Sequence, residues 1–308
     1  ELLEIVGITR QAIYKKKLQK TKVNALEMDI LRRVNEMRAL HPRMGSRSLH
    51  VALGLKQIGI TKFEQFMSRY GLTVNVKRKR IITTKNGPGK RYPNLTNGKE
   101  LNGINQLIVV DITYYIMDGK TIYITILKDF YSKRIVGIHA SETMDVKNVI
   151  KPLKQLFKLR KIKVFVNLTH HSDGGSQFKS KAYTGLLNSR NISISMAKSC
   201  LENGSAEQIN GVIKNDYLLN KQIKTIEQLN MELRKIQYLI NEQKPVASLN
   251  YMTPVAFENY ISGLKEQDRT ITKSYYFKQK RGVVEAYDEL NISVAKNTSK
   301  KVVNLKIK

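Results

Sequence analysis

QLIVVDITYY, residues 106–115, is the stretch on which the reading of the fold turns. Its run of apolar, largely β-branched and aromatic side chains favours a strand, with one carboxylate, Asp111, in the middle. Burying that charge in a strand costs several kcal/mol unless it is paired or metal-bound, so an inward-facing Asp111 needs a partner. Working outward, further strand-like runs lie at 121–129 and 134–140. A helix at 145–160, a short apolar strand at 163–168, and helices beginning near Ser180 and Ser205 follow. Three adjacent strands followed by alternating helix and strand describe an α/β domain with a mixed sheet. A long helix over about 225–242 then precedes the Pro245 to Pro254 loop, and alternating segments at 281–286 and 301–307 suggest a small β-rich appendage.

Two further carboxylates stand where such a domain gathers ligands. Asp173, in THHSDGGSQF (169–178), follows the apolar run KVFVNL (163–168), just past the expected end of a strand. Gly174 and Gly175 let the chain turn sharply there. Glu207, two residues after Ser205, falls in the first turn of a predicted helix within ENGSAEQINGVIKNDY (202–217). Singly, each acid reads as a structural cap or a surface charge. Together, Asp111, Asp173 and Glu207 are hard oxygen ligands suited to Mg²⁺, which leaves positions for water and phosphate. Two such ions ~3.5–4 Å apart would activate an attacking oxygen and steady a leaving one. Mn²⁺ is the expected substitute. Asn210 and Lys214, three and seven residues after Glu207, share its helix face and are candidates to meet a DNA end; for Lys214 a solvated helix lysine is the alternative. His171 either orients the site or is a satisfied structural histidine. Asp129, at the start of a turn, reads as structural.

The partner is indicated by charge. The chain of 308 residues has 54 Lys+Arg against 25 Asp+Glu, a formal net charge of +29, which calls for a polyanion. Residues 1–98 hold 21 basic and 6 acidic side chains, so the N-terminal third is the expected main DNA-binding surface. No apolar run reaches bilayer-spanning length and no signal-peptide pattern occurs, which argues against a membrane partner. The single cysteine, Cys200, excludes an internal disulfide and a zinc site of several thiolates, and fits a reducing cytosol. Opening at Glu1 inside a helical pattern, the chain is expected to have its natural start upstream.

Residues 1–17 (ELLEIVGITRQAIYKKK) read as a short helix, a turn at Gly7 to Thr9 with Thr9 as N-cap, and a second, basic helix. In that helix-turn-helix outline Arg10, Gln11 and Tyr14 would face a major groove and Lys15 to Lys17 would meet phosphates; a helical hairpin with a solvated basic face is the alternative. Residues 25–40 form a further helix by apolar spacing, and a helical hairpin runs from Gly45 to Leu72, its second helix starting at Gly59-Ile60-Thr61. Residues 76–98 lack periodicity and cluster Lys77, Arg78, Lys79 and Arg80, an extended basic linker that either follows the DNA backbone or is merely solvated. The expected organisation is a helix-turn-helix type DNA-binding region (1–75), a basic linker (76–100), a catalytic core (101–260) and a basic C-terminal appendage (261–308).

NQLIVVDITYY, LKDFYSKRIVG, HHSDGGSQF, SAEQINGVIKNDYL and NEQKPVASLNYMTP, with GITRQAIYK and HPRMGSRSL before them, together resemble the IS-three family of bacterial insertion-sequence transposases, of the retroviral-integrase superfamily. The likeness runs in one order from about residue 5 to 257. It implies an RNase H-like core, a D-D-E metal triad matched by Asp111, Asp173 and Glu207, and recognition of the element's terminal inverted repeats. It further implies hydrolysis that frees a 3′-hydroxyl, strand transfer by that hydroxyl, at least a homodimer on DNA, and a cytoplasmic, nucleoid-associated protein. Some positions depart from the family pattern. The second and third acids are separated by 33 residues, two fewer than is usual, with the gap near Ser199. Ile108 stands where Trp is usual, Gly174 where Arg is common, and Lys244-Pro245-Val246 where Arg-Pro-His is common; these bear on DNA contacts rather than on the carboxylates. Two other functions fit the same residues: a metal-dependent nuclease without strand transfer, and a transposase-derived DNA-binding regulator without chemistry.

Overall fold

The computed structural model describes residues 9–74, 92–198, 200–274, 276–280 and 283–287. Strand β2 (Leu107–Met117) grows from the QLIVVDITYY stretch after a two-residue strand, β1 (Glu100–Leu101). It turns back through Asp118 and Gly119, both at positive φ, into β3 (Lys120–Asp129). Two successive left-handed residues match the twist of a tight antiparallel hairpin. β4 (Ile135–Ser141) pairs antiparallel with β3, while β5 (Thr169–Ser172) and β6 (Ser193–Met196) join in parallel on the other side. The resulting five-stranded sheet runs β4-β3-β2-β5-β6.

Helices cover both faces, which is why Leu107 to Val110 are buried without alternation. On one face α4 (Val146–Arg160), α5 (Ser176–Lys179, with Phe178) and α6 (Lys181–Asn188) pack with Phe165 against Ile108, Val110, Leu127 and Val136. Gly137 on β4 permits the close approach of α4, since a Cβ there would collide with the Pro152 carbonyl oxygen. On the other face α7 (Gly204–Gly211), a π-helical turn (Val212–Leu218) and α8 (Ile226–Tyr238) bury Ile209, Ile213, Leu229, Leu233 and Ile236 against Ile122, Ile124 and Ile126. A mixed sheet between two helical layers is the RNase H-like architecture that the resemblance implies. α9 (Pro254–Ser262) closes one end, held by Glu258, which bonds Arg160, Arg134 and Ser132 in the interior.

The N-terminal region is helical: α1 (Arg10–Leu40), α2 (Ser46–Ala52) and α3 (Ile60–Arg69) enclose Ile30, Val34, Leu49, Phe63 and Met67. Thr9 caps α1 as expected, its hydroxyl accepting from the Ala12 N–H at 3.2 Å. The basic helix and the helix at 25–40 are one element of 31 residues, because nothing between them, neither Gly nor Pro, stops the helix. Every described side chain from Gln11 to Ala25 is exposed, so this half of α1 reaches roughly 20 Å beyond its core. The first helix of the expected helix-turn-helix lies outside the described residues. At its other end α1 meets the π-helical turn that packs on the sheet, where the His41 ring and the Tyr217 hydroxyl stand 2.7 Å apart.

The expected strand at 163–168 is not formed, and its place in the sheet is taken by Thr169–Ser172. Asn167 takes a left-handed φ of 61° and turns the chain just before the sheet, leaving Val164 and Val166 58% and 79% exposed. The strand itself is four polar residues, all buried. Each side chain has a partner, Thr169 in Lys99, His170 Nε2 in the Tyr183 hydroxyl, His171 in Ser195, and Ser172 in the Asp173 carbonyl, while Nδ1 of His170 is buried without one. The C-terminal residues described form a hairpin, β8 (Tyr276–Lys280) with β9 (Val283–Tyr287), after β7 (Thr272–Lys273) pairs with β1; residues 301–307 lie outside the described residues. Among the described residues no helix is long and apolar enough to cross a membrane.

Candidate functional site

The site is set by strand register. β2 and β5 run parallel, with Leu107 opposite Thr169 and Val109 opposite His171, and the pairing ends there. Carried two residues further, the same register brings Asp111 abreast of Asp173, at the point where the two strands part. Such a divergence at the carboxyl end of a parallel strand is where α/β folds open a ligand crevice. Asp173 follows the last residue of β5 directly, and its Oδ1 accepts the Gly175 N–H at 3.0 Å. Glu207 lies in the first turn of α7, the helix that packs across β2 and β3.

Electrostatics couples Asp111 to the other two acids. The Asp111 carboxyl is pushed up to about 7, first by burial and then by the charge of Asp173, with Glu207 adding to it. The Ile112 N–H and the Asn210 amide oppose that rise. Burial also raises Asp173, against the pull of the Gly175 N–H and of Lys179. A buried carboxyl whose ionisation two neighbouring acids disfavour is suited to a divalent cation, and the donors of all three are oxygen, the set that Mg²⁺ prefers. Among the described residues no three His, Cys, Asp or Glu side chains stand close enough together to hold a metal ion in this arrangement. Donor chemistry and charge therefore fit the cation, while the separations are wider than ligation requires.

Around the acids, Asn210 is 6% exposed and donates from its amide to Asp111 Oδ2 at 2.7 Å. Expected at a DNA end, it is instead turned inward onto the carboxylate. The helical face expected to carry Lys214 does not continue in α-register, because the helix becomes π-helical at Val212. Lys214 is nonetheless half-buried near the site: burial lowers its pKa and the charge of Asp111 opposes that. His171 is buried between the Ser195 hydroxyl at 2.8 Å and the Glu202 carbonyl at 3.1 Å. Asp129, fully buried, accepts from the Asn105, Tyr131 and Ser132 N–H groups, a turn-holding role as expected. In the N-terminal region Gln11 is exposed and Tyr14 is 68% exposed, on the projecting half of α1. Lys77, Arg78, Lys79 and Arg80, and the side chain of Arg10, lie outside the described residues.

Two residues at the site were not singled out by sequence. Lys128, in ITILKDF, is 3% exposed and donates to the Ser205 carbonyl at 2.7 Å. Asn203, just before α7, donates to the Val110 carbonyl at 3.1 Å. The legible signal for Lys128 was a charge directly after the apolar run Ile126-Leu127, akin to the one that marked Asp111.

The chain is similar to known proteins. The family described as Integrase core domain matches residues 102–199, and a second family of that description matches residues 189–254. The chain is 25% identical over 267 residues to the putative transposase InsK for insertion sequence element IS150 of Escherichia coli (strain K12), covering 84% of this chain and 93% of that protein. It is 28% identical over 169 residues to the transposase for insertion sequence element IS629 of Shigella sonnei, covering 53% of this chain and 55% of that protein. Among solved structures, the HTLV-2 integrase catalytic core domain in complex with magnesium (trimeric form) aligns with 54% of this chain and 99% of that one, at 18% identity and a TM-score of 0.41. The chain therefore matches the integrase core domain over residues 102–254 and is similar to insertion-sequence transposases.

Proposed function

We propose that this transposase binds the terminal inverted repeats of its insertion sequence, cuts the element's ends by Mg²⁺-dependent hydrolysis and joins the freed 3′-hydroxyl to another strand. The observation that carries the reading is the register that aligns Asp111 with Asp173 beneath the helix bearing Glu207, with both acids raising Asp111. Asp111, Asp173 and Glu207 are the residues that would hold two divalent ions, Mg²⁺ or Mn²⁺. Bound there, such ions would supply a deprotonated attacking oxygen and charge neutralisation at the leaving oxygen of an in-line phosphoryl transfer.

The chain's own residues do the rest. Asn210 fixes the rotamer of Asp111, and the Gly175 N–H fixes that of Asp173. Lys214, within the field of Asp111, would meet a phosphate of the DNA end. In the first step a water oxygen bonds to phosphorus, and the bond from phosphorus to the 3′ oxygen breaks, leaving a 3′-hydroxyl. In the second, that hydroxyl bonds to the phosphorus of another strand and displaces its 3′ oxygen. One phosphodiester is lost as another forms, so no outside energy source is needed. The projecting half of α1, with Gln11 and Tyr14 exposed among lysines, is the surface assigned to DNA, with Arg10 and the linker residues Lys77, Arg78, Lys79 and Arg80 beside it. Joining requires two ends to meet, so at least a homodimer assembles on the DNA, in the cytoplasm and on the nucleoid.

The test uses labelled duplexes carrying the element's terminal repeat, with Mg²⁺, with EDTA, and with Glu207→Gln. Metal-dependent nicks at the repeat boundary and joined products, both absent from the variant while end binding persists, are expected. Nicks without joined products would make the chain a nuclease. Binding with neither product would make it a DNA-binding regulator.

A further inference from the structure

We infer that Lys128, which lies outside the acid triad, is a positioning residue that fixes the helix bearing Glu207 over the sheet. The inference rests on the proposed use of the triad as a metal site. Residues 202 to 205 lead into that helix, and three adjacent strands hold them by buried polar contacts. From β5, the His171 ring bonds the Glu202 carbonyl. To β2, the Asn203 amide donates to the Val110 carbonyl. From β3, Lys128 Nζ donates to the Ser205 carbonyl at 2.7 Å. Each tie falls within two residues of a triad acid: Val110 precedes Asp111, His171 is two before Asp173, and Ser205 is two before Glu207. The same three contacts therefore set the spacing of all three carboxylates.

Lys128 is the least replaceable of these by ordinary packing. It is 3% exposed, and among the described residues it forms no ion pair, so its amine is buried at a cost of several kcal/mol with a carbonyl as its partner. Packing alone would favour an apolar side chain of the same length. Burial holds the amine well below the usual lysine pKa, with Lys133 adding to the effect, and in either protonation state it still has an N–H to donate. Farther along, the helix passes into π-helical turns at Val212, where the i→i−4 ladder is interrupted. The N-terminal ties are thus the ones that fix the height and rotation of Glu207.

The experiment compares wild type with Lys128→Met, which keeps the volume and removes the donor. Thermal melting, affinity for a terminal-repeat duplex, Mn²⁺ affinity by EPR titration, and kcat and KM for end cleavage are measured. Lys128→Met is expected to melt no lower than wild type and to bind the duplex equally well. Its Mn²⁺ affinity and kcat should each fall by roughly 10-fold or more, the usual consequence of losing an outer support of a ligand, with KM unchanged. A folded Lys128→Met with wild-type Mn²⁺ affinity and kcat overturns the assignment. Should that variant not fold, Lys128→Gln keeps a shorter donor; an intermediate loss of Mn²⁺ affinity is expected, and none overturns it. Wild-type protein that binds no Mn²⁺ overturns the metal-site reading and this one together, whereas wild-type binding with unaltered variants overturns this one alone.

Discussion

Replacing Asp111 by Asn should make the metal-free protein more stable at alkaline pH than the native chain. In the folded protein the Asp111 carboxyl is raised from 3.8 to about 7, by burial first and then by Asp173 and Glu207. Because the folded value lies above the unfolded one, ionised Asp111 disfavours the folded state. The native chain is free of this penalty below about pH 4, loses stability as pH rises toward 7, and carries the full penalty above it. About three pKa units at ~1.4 kcal/mol each set the difference at no more than about 4 kcal/mol. Asparagine keeps the shape and an oxygen for the Asn210 amide, but it never ionises. The assay is urea denaturation of both proteins in EDTA from about pH 4.5 to about pH 8. The variant should pull ahead progressively with pH, and Mg²⁺ at alkaline pH should restore the native chain more than the variant. Two stability curves that stay parallel across that range would refute the argument that burial and the charges of Asp173 and Glu207 raise Asp111 in the folded site.

Glu258→Ala should destabilise the core by roughly 3–5 kcal/mol in urea denaturation, since it strips the buried guanidinium groups of Arg160 and Arg134 of their shared carboxylate; a loss below about 1 kcal/mol would mean the network is not what holds α9. Changing Lys15, Lys17 and Lys20 to Gln, all exposed on the projecting half of α1, should reduce the salt slope of terminal-repeat binding by up to about 3, at ~0.9 for each phosphate no longer neutralised. Fluorescence anisotropy against salt concentration reads this directly, and an unaltered slope would remove α1 from the DNA surface.

Local pattern was enough for most of the elements. Strands at 107–115, 121–129 and 134–140, the helix at 145–160, and the Thr9 and Gly59 helix starts all announce themselves by side-chain period and capping chemistry, which depend on neighbours in the chain. Two of the three acids stand out in one dimension, Asp111 amid apolar residues and Asp173 beside a Gly-Gly turn, whereas Glu207 at a helix start does not. Local pattern misled at Lys163 to Leu168, where an apolar run looks like a strand, whereas the strand that pairs with β2 is Thr-His-His-Ser. Polar residues can fill a central strand when distant partners such as Tyr183, Ser195 and Lys99 satisfy them, and those partners are invisible until the chain folds.

What the sequence determined on its own was the type of most elements and the excess of basic charge, both consequences of residue chemistry and short-range periodicity. Only the tertiary structure decided that Asp111 and Asp173 fall abreast, that Asn210 turns inward to hold one of them, and that Lys128 reaches from β3 to the helix of Glu207. Register between strands far apart in the chain, and the burial of a lysine beneath a helix, follow from which surfaces the whole fold brings together. No window along the chain contains both sides of such a contact.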